Sequence, residues 1–179
     1  MSRVGKKPIQ VPDKTKISYR DKTITVVGEK GSLTRVIHSD IDLKIEGGFV
    51  NVSTLSDDRS GRALQGLTRS LVNNMITGVN KGFDRILEIN GIGYRAELKG
   101  KSIVFNLGFS HPVVFDLPDG ISAAVEKNTV VKLSGIDKEK LGLAAASIRR
   151  LKPPEPYKGK GIKYSEERIQ KKAGKTGTK

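Results

Sequence analysis

Residues 57–82, DDRSGRALQGLTRSLVNNMITGVNKG, carry the pattern that decides the fold. Apolar side chains recur at spacings of one, three and four residues, which places them on one face of a helix. This face consists of Ala63, Leu64, Leu67, Leu71, Met75 and Val79. Asp57 and Asp58 precede the pattern as capping residues, and Gly78 or Gly82 ends it. The stretch therefore predicts an amphipathic helix whose apolar face must be covered by another element.

The residues before this helix have the composition and alternation of β-strands. Residues 23–27 and 33–37 are rich in β-branched side chains, which favour strands. Residues 43–46 and 49–53 flank Gly47-Gly48, a two-residue hairpin turn that needs positive φ angles. This half of the chain therefore predicts an antiparallel sheet with one helix packed on it.

The second half repeats this plan. Strands are predicted at residues 85–89, 94–98, 103–107, 113–117, 123–125 and 130–133, with a turn at Lys99-Gly100. A helix then runs from about Lys138 to Leu151, and Pro153-Pro154 ends it. Its apolar face consists of Leu141, Ala144, Ala145, Ile148 and Leu151.

The two halves align at an offset near 80 residues. Residues 22–26 fall on residues 101–105, and Gly47-Gly48 falls on Lys127-Asn128. The sequence predicts an α+β fold with two tandem similar domains, each an antiparallel β-sheet with one main packed helix, followed by an extended basic C-terminal tail. The predicted boundaries are residues 1–81, 82–152 and 153–179.

Charge and composition indicate the class of partner. The 179 residues carry 33 Lys and Arg against 19 Asp and Glu, a formal net charge of +14. This excess favours a polyanion, which means nucleic acid or an anionic membrane surface. The chain has no cysteine, which excludes disulfides and thiolate metal sites and favours a reducing cytosol. No apolar run approaches the ~20 residues that span a bilayer, and no signal-peptide pattern follows the N-terminus.

Motifs that suggest catalysis have simpler explanations. Residues 91–96, GIGYRA, match a loose dinucleotide fingerprint, but strand-like alternation follows where that motif needs a helix. Gly174-Lys175-Thr176 lacks the earlier glycine of a phosphate-binding loop. His38 and His111 have no partner at ligand spacing. We therefore predict no enzyme, cofactor, metal or small-molecule substrate, and keep a nucleotide-dependent enzyme using residues 91–96 as the competing hypothesis.

The C-terminal residues predict an RNA-binding site. Residues 153–164 read PPEPYKGKGIKY, and residues 152–179 hold nine basic and three acidic side chains. Glycines between lysines let backbone and ammonium groups approach phosphates, and tyrosines can stack on exposed bases. The candidates are Lys158, Gly159, Lys160, Gly161 and Lys163, with Tyr157, Tyr164, Arg168, Lys171, Lys172 and Lys175.

The sequence leaves other interpretations of these C-terminal residues open. The residues after 164 suit a solvated tail or a short surface helix as well. A membrane surface is disfavoured because the tail has few large apolar groups, and DNA because no DNA-binding motif is present. Two weaker basic groups are secondary candidates, although a solvent-facing stripe explains the second. They are Arg3, Lys6 and Lys7 at the N-terminus, and Arg59, Arg62 and Arg69 on the first helix.

Residues 149–162, RRLKPPEPYKGKGI, closely resemble the signature of the large-subunit ribosomal protein L6 family in its bacterial form. Residues 2–9 resemble that family's N-terminus, and residues 91–96 its middle. The resemblance implies two domains of similar fold and binding to large-subunit ribosomal RNA, chiefly through the second domain and the tail. It implies a place near the base of the stalk, close to the sarcin–ricin loop and to neighbouring large-subunit proteins, in support of subunit assembly and translation in the cytoplasm.

Carried over to this chain, the RNA contacts are expected from Lys152 to Lys163, with Arg149 and Arg150 as secondary candidates. A nucleic-acid chaperone outside the ribosome is the alternative. We expect the tail to be mostly unstructured until it binds RNA. Removal of everything after Leu151 should then leave both domains folded.

Overall fold

The computed structural model describes residues 5–56 and 58–174, which contain thirteen strands and two helices. The strands are β1 (Ile9–Gln10), β2 (Lys16–Arg20), β3 (Thr23–Gly28), β4 (Gly31–Val36), β5 (Ile41–Glu46), β6 (Phe49–Thr54), β7 (Phe83–Asn90), β8 (Arg95–Lys99), β9 (Ser102–Asn106), β10 (Val113–Asp116), β11 (Ile121–Glu126), β12 (Val130–Gly135) and β13 (Gly161–Tyr164). The helices are α1 (Arg59–Asn80) and α2 (Lys138–Leu151). The predicted α+β class is confirmed.

The described residues form two compact units. The first runs to Gly82 and includes Ile136–Lys138, and the second holds Phe83–Gly135 and the residues from Glu139 onward. Every strand pair in both units is antiparallel.

The first unit has two three-stranded sheets, in the orders β2-β3-β4 and β1-β6-β5. Alternate residues of β3 and β6 point inward, so that Ile24, Val26 and Val50 are fully buried. These side chains form one core with apolar side chains of α1, among them Val72 and Val79. The helix therefore covers the sheets as the sequence predicts.

The start of α1 confirms one predicted cap. The Asp58 carboxylate accepts a 2.6 Å hydrogen bond from the Gly61 amide, which satisfies a free donor of the first helical turn. Asp57, the other capping candidate, lies outside the described residues.

The predicted apolar face of α1 is partly wrong. Ala63 is exposed and Leu67 is 54% exposed, whereas Gly61 and Thr68 are buried. A β-carbon on Gly61 would lie 2.3 Å from the Ser56 carbonyl oxygen, so the chain at this end of the helix leaves no room for a side chain. A pattern of large apolar residues does not detect a buried face that begins with small ones.

The second unit has the same topology. Its sheet β10-β9-β8 corresponds to β2-β3-β4, and β7, β11 and β12 pair as β1, β5 and β6 do. The aligned hairpin turns also agree, since Gly47 and Gly48 have φ angles of 57° and 79°, and Lys127 and Asn128 have 53° and 57°. The predicted repeat of a sheet-plus-helix unit is confirmed.

Among the described residues, β13 has no counterpart in the first unit; it follows α2 and extends the second sheet to the order β11-β12-β7-β13. Ile162 of β13 pairs with Ile89 of β7 and is fully buried in the same core as Ile148. The expectation that the tail is mostly unstructured is therefore wrong for these residues. The prolines lie before the strand, where they do not interrupt its pairing with β7. β13 is an edge strand, and short strands with charged side chains are common at sheet edges.

The remaining predicted strands are present, with bounds that differ by a few residues. β1 and β2 were not predicted, because β1 has only two residues and β2, KISYR, is mostly polar. Residues 165–174 form neither a helix nor a strand, so the short surface helix considered for residues 165–172 is absent.

Candidate nucleic-acid interface

The connection between α2 and β13 is a closed loop, here called the basic loop (residues 153–160). The Ile162 amide donates a 2.7 Å hydrogen bond to the Lys152 carbonyl, and the Glu155 amide donates one of 2.9 Å to the Lys160 carbonyl. These two bonds join the two sides of the loop to each other. The loop is therefore held against the second unit by its own backbone hydrogen bonds.

The tip of the basic loop presents cations and one aromatic ring to solvent. The Glu155 carbonyl and carboxylate accept hydrogen bonds of 3.1 Å from the amides of Gly159 and Lys158, respectively. Gly159 has a φ angle of 74°, a left-handed conformation that favours glycine. Tyr157 is 56% exposed, and the side chains of Lys158 and Lys160 are exposed beside it.

The residues after β13 run back along the basic loop and are here called the return segment (residues 165–172). The Ser165 amide donates to the Ile86 carbonyl at 3.0 Å, and the Lys172 amide donates to the Pro156 carbonyl at 2.9 Å. The ε-carbon of Lys171 lies 3.9 Å from the position that a β-carbon on Gly159 would take. The loop and the return segment thus lie side by side.

An open cleft of about 560 Å³ separates the two segments. Its lining includes Lys158 and Gly159 from the loop, Lys163 and Asn90 from the two paired strands, and Arg168 and Lys171 from the return segment. Neither Asn90 nor the cleft itself was predicted, because β7 meets β13 only through long-range pairing.

The acidic side chains at the cleft are matched by arginines. Arg149 donates two hydrogen bonds to the Glu167 carboxylate, of which the one from Nε is 2.9 Å long. Arg85 forms an ion pair with Glu166. The Arg149 hydrogen bonds are the main reason why the pKa of Glu167 lies below its ordinary value. Hydrogen bonding from its own amide, followed by Ser165 and Arg85, lowers the pKa of Glu166.

Several cations around the cleft have no such partner. Lys158, Arg168 and Lys171 make no ion pair within the residues that the structure describes, and the same holds for Lys160 and Lys172 nearby. The surface therefore combines internally neutralised carboxylates with unneutralised ammonium and guanidinium groups. Such a surface attracts anionic groups.

Both units of this chain resemble a known protein family. The family described as ribosomal protein L6 matches residues 11–82 and 90–165, most of both units and the whole basic loop. This chain belongs to the ribosomal protein L6 family. The resemblance noted from the sequence is thereby confirmed.

Full-length relatives carry the same family name. The large ribosomal subunit protein uL6 of Desulfosudis oleivorans is 61% identical over 176 residues, which cover 98% of this chain and 99% of that protein. The uL6 protein of Desulfatibacillum aliphaticivorans is 61% identical over 177 residues, with 99% of each chain covered. The uL6 protein of Geobacter metallireducens is 56% identical over 179 residues, with both chains covered completely.

Three residues that the sequence assigned to RNA contact have structural roles in this member of the family. Gly161 is buried with a φ angle of 134°, and a β-carbon there would lie 2.5 Å from the Pro153 carbonyl oxygen. Lys163 forms a 2.7 Å ion pair with Glu88, and only 22% of its side chain is exposed. Tyr164 is partly buried and packs against the second core.

Cations near these residues are also engaged within the protein. The guanidinium carbons of Arg85 and Arg149 lie 5.7 and 5.8 Å from the Tyr164 ring centre, within cation–π range. The Lys152 ammonium lies 4.5 Å from the ring centre of Phe109. Arg150 is exposed and remains available for contact.

The described secondary candidates of the first unit lie on the N-terminal segment and on helix α1. Lys6, Lys7, Arg59 and Arg62 are exposed, whereas the Arg69 Nε group donates a 2.9 Å hydrogen bond to the Lys7 carbonyl. Arg69 therefore holds the N-terminal segment against α1. Arg3 and Lys175 lie outside the described residues.

Residues 91–96 form the predicted bend between strands. The Tyr94 amide donates a 3.1 Å hydrogen bond to the Gly91 carbonyl, and β8 follows where a dinucleotide site needs a helix.

Among the described residues, no three His, Cys, Asp or Glu side chains are grouped so that they could hold a metal ion. No helix in the described ranges is long and apolar enough to cross a membrane.

Proposed function

We propose that this protein is a structural constituent of the large ribosomal subunit, where it binds large-subunit ribosomal RNA through the basic loop and the return segment. The observation that carries the proposal is the group of unneutralised cations around the cleft: Lys158, Lys160, Arg168, Lys171 and Lys172. Membership of the ribosomal protein L6 family and the name of the full-length relatives support the choice of partner.

The folded loop favours binding because it is already in place. Fixing a flexible backbone requires roughly 1–2 kcal/mol per residue, which a loop ordered by its own hydrogen bonds does not lose again on binding. Lys158 and Lys160 then contact phosphates, and Gly159 lets the backbone approach them closely. Tyr157 at the tip stacks on an unpaired base, as irregular RNA permits.

The protein acts by assembly and not by turnover. Its two units serve as rigid modules, and its RNA contacts hold them near the base of the stalk and the region where translation factors act. Neighbouring large-subunit proteins are further partners, and the cytoplasm is the site of action. This placement rests on the family resemblance.

Binding to a large-subunit RNA transcript at several salt concentrations tests the RNA contact. Lys158→Gln/Lys160→Gln should weaken binding and reduce the slope of log affinity against log salt by about 0.7–0.9 for each phosphate that is no longer neutralised. Lys44→Gln/Lys99→Gln removes the same charge at two exposed sites elsewhere and serves as the matched control. Equal effects of the two double variants would show that the loop is not the binding site.

Sedimentation of a cell extract tests the ribosomal assignment. The protein should travel almost wholly with the large subunit at moderate salt. A protein that remains in the soluble fraction would favour the alternative, a nucleic-acid chaperone acting outside the ribosome.

A further inference from the structure

The carboxylate of Glu167 lies within the most basic part of the chain, and three hydrogen bonds hold it there. Arg149 binds it with two hydrogen bonds, and the Tyr164 amide donates a third, of 3.2 Å, to its Oε2 atom. Only 23% of the Glu167 side chain is exposed. Glu167 thus fixes the chain, just after β13 ends, to helix α2.

A second fixed point lies five residues later. There the Lys172 amide donates to the carbonyl of Pro156 in the basic loop. Residues 168–171 span the interval between these two attachments, and they supply Arg168 and Lys171 to the cleft. The positions of these two cations therefore depend on both attachments.

We propose that Glu167 is a positioning residue for RNA binding: by fixing the return segment to Arg149, it holds Arg168 and Lys171 opposite Lys158 across the cleft. This inference rests on the proposed function. It assigns to an acidic side chain a favourable effect on the binding of a polyanion. Charge alone predicts the reverse, since a carboxylate repels phosphates.

Glu166 provides a matched comparison. It lies next in the chain and lines the same cleft, but 57% of its side chain is exposed and its partner is Arg85. Its carboxylate receives hydrogen bonds from the Ser165 and Arg85 side chains and is not the acceptor for the amide of Tyr164. Replacement of Glu166 by glutamine removes the same charge but leaves the attachment to α2 intact.

The experiment measures the affinity of full-length variants for a large-subunit RNA transcript across a series of salt concentrations. Glu167→Gln should weaken binding about three- to tenfold, an effect in the usual range for coupled neighbours. The slope of log affinity against log salt should fall by about 0.7 or more, because at least one phosphate is no longer neutralised. Glu166→Gln should leave affinity unchanged or raise it.

A double-mutant cycle tests whether Glu167 affects RNA binding through Arg168 and Lys171. In a chain that already carries Arg168→Gln/Lys171→Gln, the further change Glu167→Gln should have little effect on affinity or slope, because the cations it positions are gone. An equal loss in both backgrounds would contradict positioning and indicate a general structural defect. Glu167→Asp, which keeps the charge on a shorter side chain, should give an intermediate affinity and covers the case in which Glu167→Gln does not fold.

The two hypotheses fail in different ways. Wild-type protein that binds the transcript without salt dependence would overturn the proposed function. Wild-type protein that binds as expected, with Glu167→Gln binding equally or more tightly, would leave that function standing and overturn the inference about Glu167.

Discussion

The Ile162 amide donates a 2.7 Å hydrogen bond to the Lys152 carbonyl, and the Ile162 side chain is fully buried in the second core. One residue thereby closes the base of the basic loop and fixes it to the folded unit. The loop has exposed lysines at its tip and a buried isoleucine at its base, so its position depends on the stability of the sheet.

Ile162→Ala should therefore destabilise the second unit by about 2–5 kcal/mol, the usual range for deletion of a buried isoleucine side chain. Ile92→Ala is the control, because Ile92 is 96% exposed and its loss should change stability by less than about 0.5 kcal/mol. Urea unfolding measures both. Similar midpoints for the two variants would contradict the burial of Ile162.

Truncation after Leu151 should also destabilise the second unit, contrary to the expectation from sequence. The truncation removes β13, exposes the edge of β7 and opens the core at Ile162. Hydrogen exchange distinguishes the two units: amides of β7 should lose protection, and those of β3 should keep it. Full protection of β7 in the truncated chain would show that β13 is dispensable.

Gly161→Ala and Gly159→Ala should differ sharply in stability. Both positions have positive φ, but a β-carbon at Gly161 meets the Pro153 carbonyl oxygen, whereas the nearest atom at Gly159 is 3.9 Å away. We expect a loss of about 1–2 kcal/mol at Gly159 from backbone strain, and about 3 kcal/mol or more at Gly161, where steric overlap adds to it. Thermal unfolding measures the difference, and equal losses would contradict the packing described for Gly161.

The two tyrosines of the motif should separate binding from stability. Tyr157→Ala should weaken RNA binding by about 1–3 kcal/mol if the ring stacks on a base, with little change in melting temperature. Tyr164→Ala should lower the melting temperature instead, because its ring packs against the core. Tyr157→Phe keeps the ring and should bind normally. A Tyr157→Ala protein that binds as tightly as the wild type would exclude stacking at the tip.

The Arg149–Glu167 pair should make stability depend on pH in the acid range. The pKa of folded Glu167 lies below the ordinary value of 4.5, so the carboxylate contributes stability above that pH and loses it as the pH falls through the folded pKa. At neutral pH, Glu167→Gln should lower the melting temperature of the second unit by about 4–8 °C for a contribution of about 1 kcal/mol. The difference from wild type should shrink below pH 4.5, and a constant difference across the acid range would contradict the assignment.

Much of the architecture follows from local pattern. The alternation of residues 103–107 and the apolar face of residues 138–151 predict β9 and α2 closely, because buried faces repeat at the period of their own element. The prediction of the buried face of α1 was less accurate, because that face begins with Gly61 and Thr68. β13 was missed because a single isoleucine between lysines and glycines gives no periodic signal.

The sequence predicted which basic residues lie at the candidate site, but not how the protein holds them in place. Density of charge identified Lys158, Lys160, Arg168 and Lys171, which all lie at or beside the cleft. In the sequence, Glu167 was only one of the three acidic side chains of residues 152–179. Nothing in the sequence of residues 152–179 distinguishes a carboxylate that is bound by an arginine from elsewhere in the chain from a carboxylate that is exposed to solvent.

The sequence alone determined the two repeated units, the order of most of their strands and of both helices, and the concentration of positive charge near the C-terminus. Each of these depends on residues close together in the chain. The tertiary structure decided that the tail supplies a strand to the second sheet, and which cations remain free. Those outcomes depend on pairs such as Arg85 and Glu166, which are 81 residues apart, or Arg149 and Glu167, which are 18 apart. Such pairs meet only because β13 returns the chain to β7, and no local pattern records that pairing.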